Sequence, residues 1–176
     1  MLPDVAGKKE LYTGDRVFST ATLKMGRGNS GKLVTEVKKA MLKAAPPCEL
    51  AIVDGSPGIG CPVIASVNGM DLVLVVAEPS GSGISDLKRL CATAATLQVQ
   101  LAVCVNKYDV SPQHTERIET FCRQQGIAFV GKIPFDPMAV RAVNEGTTVV
   151  DIDCPAGRAV REIFAKLTAL LAERSI

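Results

Sequence analysis

Tryptophan is absent, aromatic residues make up only 4 % of the 176 residues, and His114 is the single histidine. A core without large rings must rest on Val, Ile, Leu and Ala, which suits buried parallel strands and packed helices better than a sandwich. One histidine excludes a His-based metal site or a His-driven triad within one chain. His114 lies in a polar helix start, Gln113-His114-Thr115-Glu116, and reads as a solvated residue. No apolar run approaches the ~20 residues of a membrane span, and the N-terminus has no signal-type apolar region. The chain therefore reads as soluble and cytoplasmic, with no membrane partner. A formal net charge of +2 carries no excess that would call for nucleic acid.

Six cysteines occur without a single C-x-x-C pair. Spread along a chain with no secretory signal, they read as reduced thiols. Cys91, Cys104 and Cys122 fall in apolar patterns and are expected to pack as small hydrophobes.

What is present is 47 % apolar and 22 % charged, a globular composition. The length fits one domain, residues 1–176, divided into an N-terminal segment and hairpin (1–28) and a larger α/β part (29–176). Residues 1–10 give no periodic signal. Leu11-Tyr12, the turn Thr13-Gly14-Asp15 and the β-prone stretch Arg16–Met25 predict a hairpin. Asn29-Ser30 can cap a helix that places Leu33, Val37, Met41 and Ala44 on one face and stops at Pro46-Pro47. Strands are predicted at Leu50–Val53, Leu72–Ala77, Leu101–Val105 and Ile127–Ile133, with a short fifth at Thr147–Ile152. Helices are predicted after the loop Ser80–Gly83, from Pro112 to Gln125, from Met138 to Asn144, and from Ala156 to about residue 174. Alternating strands and helices with short connections imply right-handed crossovers and a parallel sheet. The fold class is thus α/β, a mostly parallel sheet flanked by helices, with an N-terminal β-hairpin.

The polar loops after the strands fall at one edge of such a sheet, where ligands bind. The first is Asp54-Gly55-Ser56-Pro57-Gly58-Ile59-Gly60-Cys61. A carboxylate there can hold a hydrated cation and glycine amides can approach an anion closely, although ordinary turn chemistry also uses these residues. Cys61 could be a metal or cluster ligand, completed by a second subunit, or a small residue packed before Pro62. Asn106-Lys107-Tyr108-Asp109 fits N-K-x-D. Its Asn and Asp can hydrogen-bond a purine edge and its Lys stem can lie over the ring; read literally, the tetrapeptide favours guanine and a GTPase. Pro134-Phe135-Asp136 could form another wall of a base pocket. Gly26–Lys32 matches the first seven positions of G-x-x-x-x-G-K-[ST], but the eighth, Leu33, has no hydroxyl for magnesium. It reads as a glycine turn with a helix cap.

Together these segments resemble the MinD/ParA superfamily of P-loop ATPases, whose relatives include the Mrp scaffold proteins and the nitrogenase iron protein. They look most like the MinD-superfamily ATPases that carry an inserted ferredoxin domain. The resemblance runs from about residue 10 to 140. It rests on Glu10-Leu11-Tyr12, Asn29–Thr35, Val53–Val63, Glu78-Pro79 with Ser82-Gly83, Val105–Asp109 and Gly131–Pro137.

The resemblance implies that Asp54 holds magnesium through water and that Gly58 offers its amide to the γ-phosphate in switch II. It implies that Asn106 recognises adenine, with Pro134, Phe135 and Asp136 lining base and ribose, so that ATP or ADP with Mg2+ is the expected cofactor. An iron–sulfur association follows from the same likeness, although the ligands of the ferredoxin insert do not occur in the sequence. Nor does a K-G-G-x-G-K-T phosphate loop. The chain is accordingly expected to be the C-terminal portion of such a protein and not hydrolytic alone. Its partners are expected to be a nucleotide and either a second copy or a chain supplying the N-terminal part. The competing expectations are a non-catalytic interaction module and a GTPase.

Overall fold

β-Branched and aromatic residues on either side of Gly14 favour an antiparallel ribbon, and one forms. In the computed structural model, which describes residues 7–24 and 30–173, β1 (Gly7–Tyr12) pairs with β2 (Phe18–Leu23). The register sets Tyr12 opposite Phe18 and Gly7 opposite Leu23. Residues 1–6, Met25, Gly26–Asn29 of the phosphate-loop match with the Asn29 cap, and residues 174–176 lie outside the described residues.

The chain divides into two compact units, residues 1–68 and 69–176. In the first, the ribbon packs on α1 (Ser30–Ala44). The Ser19 hydroxyl donates to the Val37 carbonyl at 3.0 Å. The unit closes with α2 (Cys61–Val67), a helix the motif reading of this stretch did not anticipate. Its signals are present in the sequence. Pro62 occupies the first turn, where a missing N–H costs nothing. Val63, Ser66 and Val67, at helical spacing, are its buried residues. The strand expected at Leu50–Val53 does not form: residues 50–53 belong to neither sheet. A strand needs a neighbour for its backbone groups, and here Ile52 is 74 % exposed.

The second unit carries the parallel sheet, in the order β3-β4-β5: β3 (Leu72–Ala77), β4 (Gln100–Asn106) and β5 (Ala128–Ile133). β4 is central and reads as a continuous apolar run because both its faces are buried. Val103 and Val105 face one cluster with Ile84, Leu87, Ile118 and Cys122, under α3 (Gly81–Leu97) and α4 (Pro112–Gln125). Ala102 and Cys104 face another with Val130 and Ile163, under α6 (Pro155–Ala172). The period of two is that of a strand between two helical layers. Gly131 lets α6 approach the sheet; a Cβ there would lie 2.8 Å from Ile163 Cγ1.

The cysteines follow their patterns: Cys104 and Cys122 are buried and Cys91 is half-buried. Burial pushes the Cys104 thiol up to about 11. His114 is not simply solvated, since its Nδ1 lies 2.8 Å from the Ser111 hydroxyl. The short α5 (Pro137–Asn144) forms as expected. The fifth strand does not. Thr148 and Asp151 instead close a capping box around a single 3-10 turn, Val149–Asp151, with the Thr148 hydroxyl 2.7 Å from Asp151 Oδ2. Among the described residues no helix is long and apolar enough to cross a membrane.

Candidate functional site

β3, β4 and β5 run parallel, so the loops that follow them leave the same edge of the sheet. Each begins where an apolar strand meets residues suited to turns, and each is fixed by a polar contact.

After β3, Glu78-Pro79-Ser80 turns directly into α3. The Ser80 hydroxyl accepts from the Gly83 amide at 3.0 Å, so Ser80 is the helix cap and the expected Ser80–Gly83 loop is already its first turn. Gly83 must stay bare, because a Cβ there would collide with the Glu78 carbonyl.

After β4, Asn106 is half-buried at the strand end, opposite Ile133. Lys107 takes a left-handed backbone conformation, φ 53°, and starts the 3-10 turn Tyr108–Val110. Its Nζ lies 3.1 Å from Glu78 Oε1, joining the first two loops. The turn is anchored from below by buried Thr115, whose hydroxyl donates to the Tyr108 carbonyl at 2.9 Å. Lys132, at 5.5 Å from the Tyr108 ring centroid, covers that ring and pairs with Glu119 at 2.8 Å.

After β5, Pro134 is half-buried and Phe135 is 55 % exposed. The Phe135 amide donates to Asp109 Oδ1 at 2.8 Å, which ties the second loop to the third. Asp136 works in both directions. Its Oδ1 accepts from the Met138 amide at 3.0 Å, capping α5, and its Oδ2 accepts from the Ala156 amide at 3.1 Å, at the start of α6. These backbone donors, Ala156 first and then Met138, hold the Asp136 carboxyl below its ordinary range. Beside it Cys154 caps α6, its Sγ accepting from the Gly157 amide at 3.3 Å.

The structure therefore brings Asn106, Lys107, Asp109, Pro134, Phe135 and Asp136 onto adjoining loops. Among them the side chains of Lys107, Asp109 and Asp136 are committed to protein partners. The Asn106 carboxamide makes no hydrogen bond among the described residues. It remains a paired donor and acceptor at the sheet edge, on the loop tethered to the one that carries the exposed Phe135 ring. The tethering residue Glu78, by contrast, was not among the expected site residues. It belongs to the Glu78-Pro79 segment on which the family resemblance rests, but the resemblance gives it no role.

Asp54, Gly58 and Cys61 belong to the first unit. Asp54 and Cys61 are exposed. Gly58 has φ 90°, open space where a side chain would stand, and a conformation glycine alone adopts freely. The loop ends at Gly60, whose carbonyl accepts from the amides of Val63 and Ile64 at 2.9 and 3.2 Å as α2 begins. Among the described residues no group of three or more His, Cys, Asp or Glu is gathered as a metal site. One exposed carboxylate suits an outer-shell contact to a hydrated magnesium ion. One thiolate is not a ligand set for an iron–sulfur cluster.

No family model matches the chain. Over 126 residues it is 33 % identical to an uncharacterized ATP-binding protein of Methanocaldococcus jannaschii, covering 68 % of this chain and 46 % of that protein. Over 158 residues it is 30 % identical to an iron-sulfur cluster carrier protein of Pyrococcus furiosus, covering 81 % of this chain and 54 % of that protein. The chain spans about half the length of the curated relatives it matches. Among solved structures, the MinD cell division protein of Aquifex aeolicus matches with a TM-score of 0.64 at 22 % identity, over 79 % of this chain and 61 % of that one. That likeness shows a common fold.

Proposed function

We propose that the chain, which is similar to an ATP-binding protein and an iron-sulfur cluster carrier protein in sequence and to MinD in fold, is a member of the MinD/ParA superfamily whose loops after β4 and β5 bind the base of an adenine nucleotide. The observation that carries this reading is the Asn106 carboxamide, uncommitted among the described residues while Lys107, Asp109 and Asp136 each hold a side-chain contact to the protein. A carboxamide presents one donor and one acceptor side by side, the complement of the amino group and ring nitrogen of adenine. Pro134 and the exposed Phe135 ring supply apolar surface for the face of a base. The name of the ATP-binding relative supports the same ligand class.

The roles proposed for the first unit follow the family resemblance. Asp54 contacts magnesium through water, and the Gly58 amide responds to a terminal phosphate. The G-x-x-x-x-G-K match, Gly26–Lys32, is followed by Leu33 where Ser or Thr is needed, so the strongest phosphate and magnesium contacts are proposed to come from a phosphate loop outside these 176 residues, on a partner chain. ATP turnover then belongs to that assembly. Iron–sulfur chemistry is not built into this proposal. Cys61 is the one residue the likeness offers for it, and the described residues form no cluster site.

Equilibrium competition against a fluorescent ADP analogue tests the reading. ATP and ADP are expected to displace the probe at lower concentration than GTP and GDP. Equal displacement by guanine nucleotides would leave the Asn106 assignment without support.

A further inference from the structure

N-K-x-D, taken as a motif, makes Asp109 a base-reading residue, but the contacts around it assign a different task. A carboxylate that reads guanine takes two adjacent N–H donors, one on each oxygen. In this chain Asp109 Oδ1 already accepts the Phe135 backbone N–H at 2.8 Å. The two residues lie 26 positions apart, and their hydrogen bond joins the loop after β4 to the loop after β5. On the first loop stands Asn106; on the second stand Pro134 and the exposed Phe135 ring.

We propose that Asp109 is a positioning residue for the base site: its carboxylate oxygen holds the Phe135 backbone so that the aromatic wall stays in register with Asn106. This rests on the nucleotide reading given above. Four features of the geometry support it.

The tether is to a backbone amide, so it fixes the path of the chain rather than a single side-chain rotamer. Pro134 lies just before that amide and fixes its own φ, leaving few other ways to orient the segment. Immediately beyond, Asp136 locks the following two residues to the start of α5 and reaches the start of α6. Phe135 is therefore held from both sides, by Asp109 at its amide and by Asp136 past its carbonyl. Before it, Lys107 ties the second loop to Glu78. With Asp109 turned to the Phe135 amide, selection between purines falls to the Asn106 carboxamide.

Two substitutions in the full chain separate positioning from direct recognition. Asp109→Ala removes the acceptor. Asp109→Asn removes the charge but keeps an oxygen able to accept from the Phe135 amide. We measure exchange of the Phe135 amide proton by NMR and the affinity for ADP. In the unsubstituted chain and in Asp109→Asn the Phe135 amide is expected to be protected. In Asp109→Ala it is expected to exchange faster, and ADP to bind about tenfold more weakly, the loss of one loop-ordering hydrogen bond. Asp109→Asn is expected to restore ADP affinity to within about threefold of the parent.

If ADP binds the parent chain but Asp109→Asn is as weak as Asp109→Ala, the charge acts directly and the positioning role is overturned. Unchanged affinity in both variants overturns it equally. If the parent chain binds no ADP, the nucleotide reading fails and this role with it. The exchange data then show whether the tether exists as a purely structural contact.

Discussion

Lys38 Nζ lies 2.7 Å from the Asn68 carbonyl oxygen, and 3.0 and 3.1 Å from those of Ser66 and Ala65. One ammonium thus takes the carbonyls at the end of α2, where the helix leaves acceptors without internal donors and where its dipole favours a cation. Lys38 is only 9 % exposed, and this burial lowers its pKa from the usual lysine value. The clamp fixes the far end of the helix that begins directly after the Asp54–Gly60 loop.

Replacing Lys38 by Met keeps the stem and removes the donors. It is expected to cost about 2 kcal/mol of stability, since three carbonyls lose a charged partner. Urea unfolding measures this. The pH dependence has a definite sign. Between the lowered folded pKa and the ordinary 10.5, the unfolded chain holds the Lys38 proton and the folded chain releases it. Over that window the stability of the parent relative to Lys38→Met is expected to rise with pH.

Asp136 carries the acid counterpart. Its carboxyl is held below 3.8 by the Ala156 and Met138 amides, so the ionised form is favoured by folding. The contribution is complete above the unfolded value and is lost as pH falls through the lower folded value. Asp136→Asn retains one acceptor for these two amides and has no such titration. The parent is therefore expected to lose stability more steeply than the variant as pH falls into the range below the ordinary 3.8. Denaturant midpoints across that range compare the two slopes.

Gln98 ends α3 with φ 56°, a left-handed conformation that costs a residue with a Cβ. Gln98→Gly is expected to stabilise the protein by about 1 kcal/mol, read as an upward shift in thermal midpoint. Lys107 has nearly the same backbone, φ 53°, yet it sits inside the loop that presents Asn106. Strain kept at such a position has a functional reading that strain at a helix end does not.

The sheet and its loops were largely legible because local chemistry decides them. Leu72–Ala77 and Leu101–Val105 are apolar on both faces, and Gly126, at φ 65°, stops α4 as its sequence position suggests. Failures came where a strand lacks a tertiary neighbour or a local cap outweighs strand propensity. Leu50–Val53 has the composition of a strand but belongs to neither sheet. Thr147–Ile152 has β-branched residues, but the Thr148–Asp151 capping box turns it into a 3-10 turn. The motifs located the candidate loops, not the tasks of their residues. Nothing in N-K-x-D shows that Asp109 serves the backbone of Phe135, or that Asp136 bridges to Ala156, 20 positions away. Such contacts join a side chain to a distant amide, and an amide leaves no signature in sequence.

The central claim is that adenine binds beside Asn106. Titration of the isotopically labelled chain with ADP, followed by amide NMR, tests it most directly. Saturable shifts are expected to concentrate at Asn106, Phe135 and their neighbours. Asn106→Ala is expected to weaken binding by about tenfold, the loss of a paired hydrogen bond to the base. ADP binding that leaves these amides unmoved, or that survives Asn106→Ala at full affinity, contradicts the account.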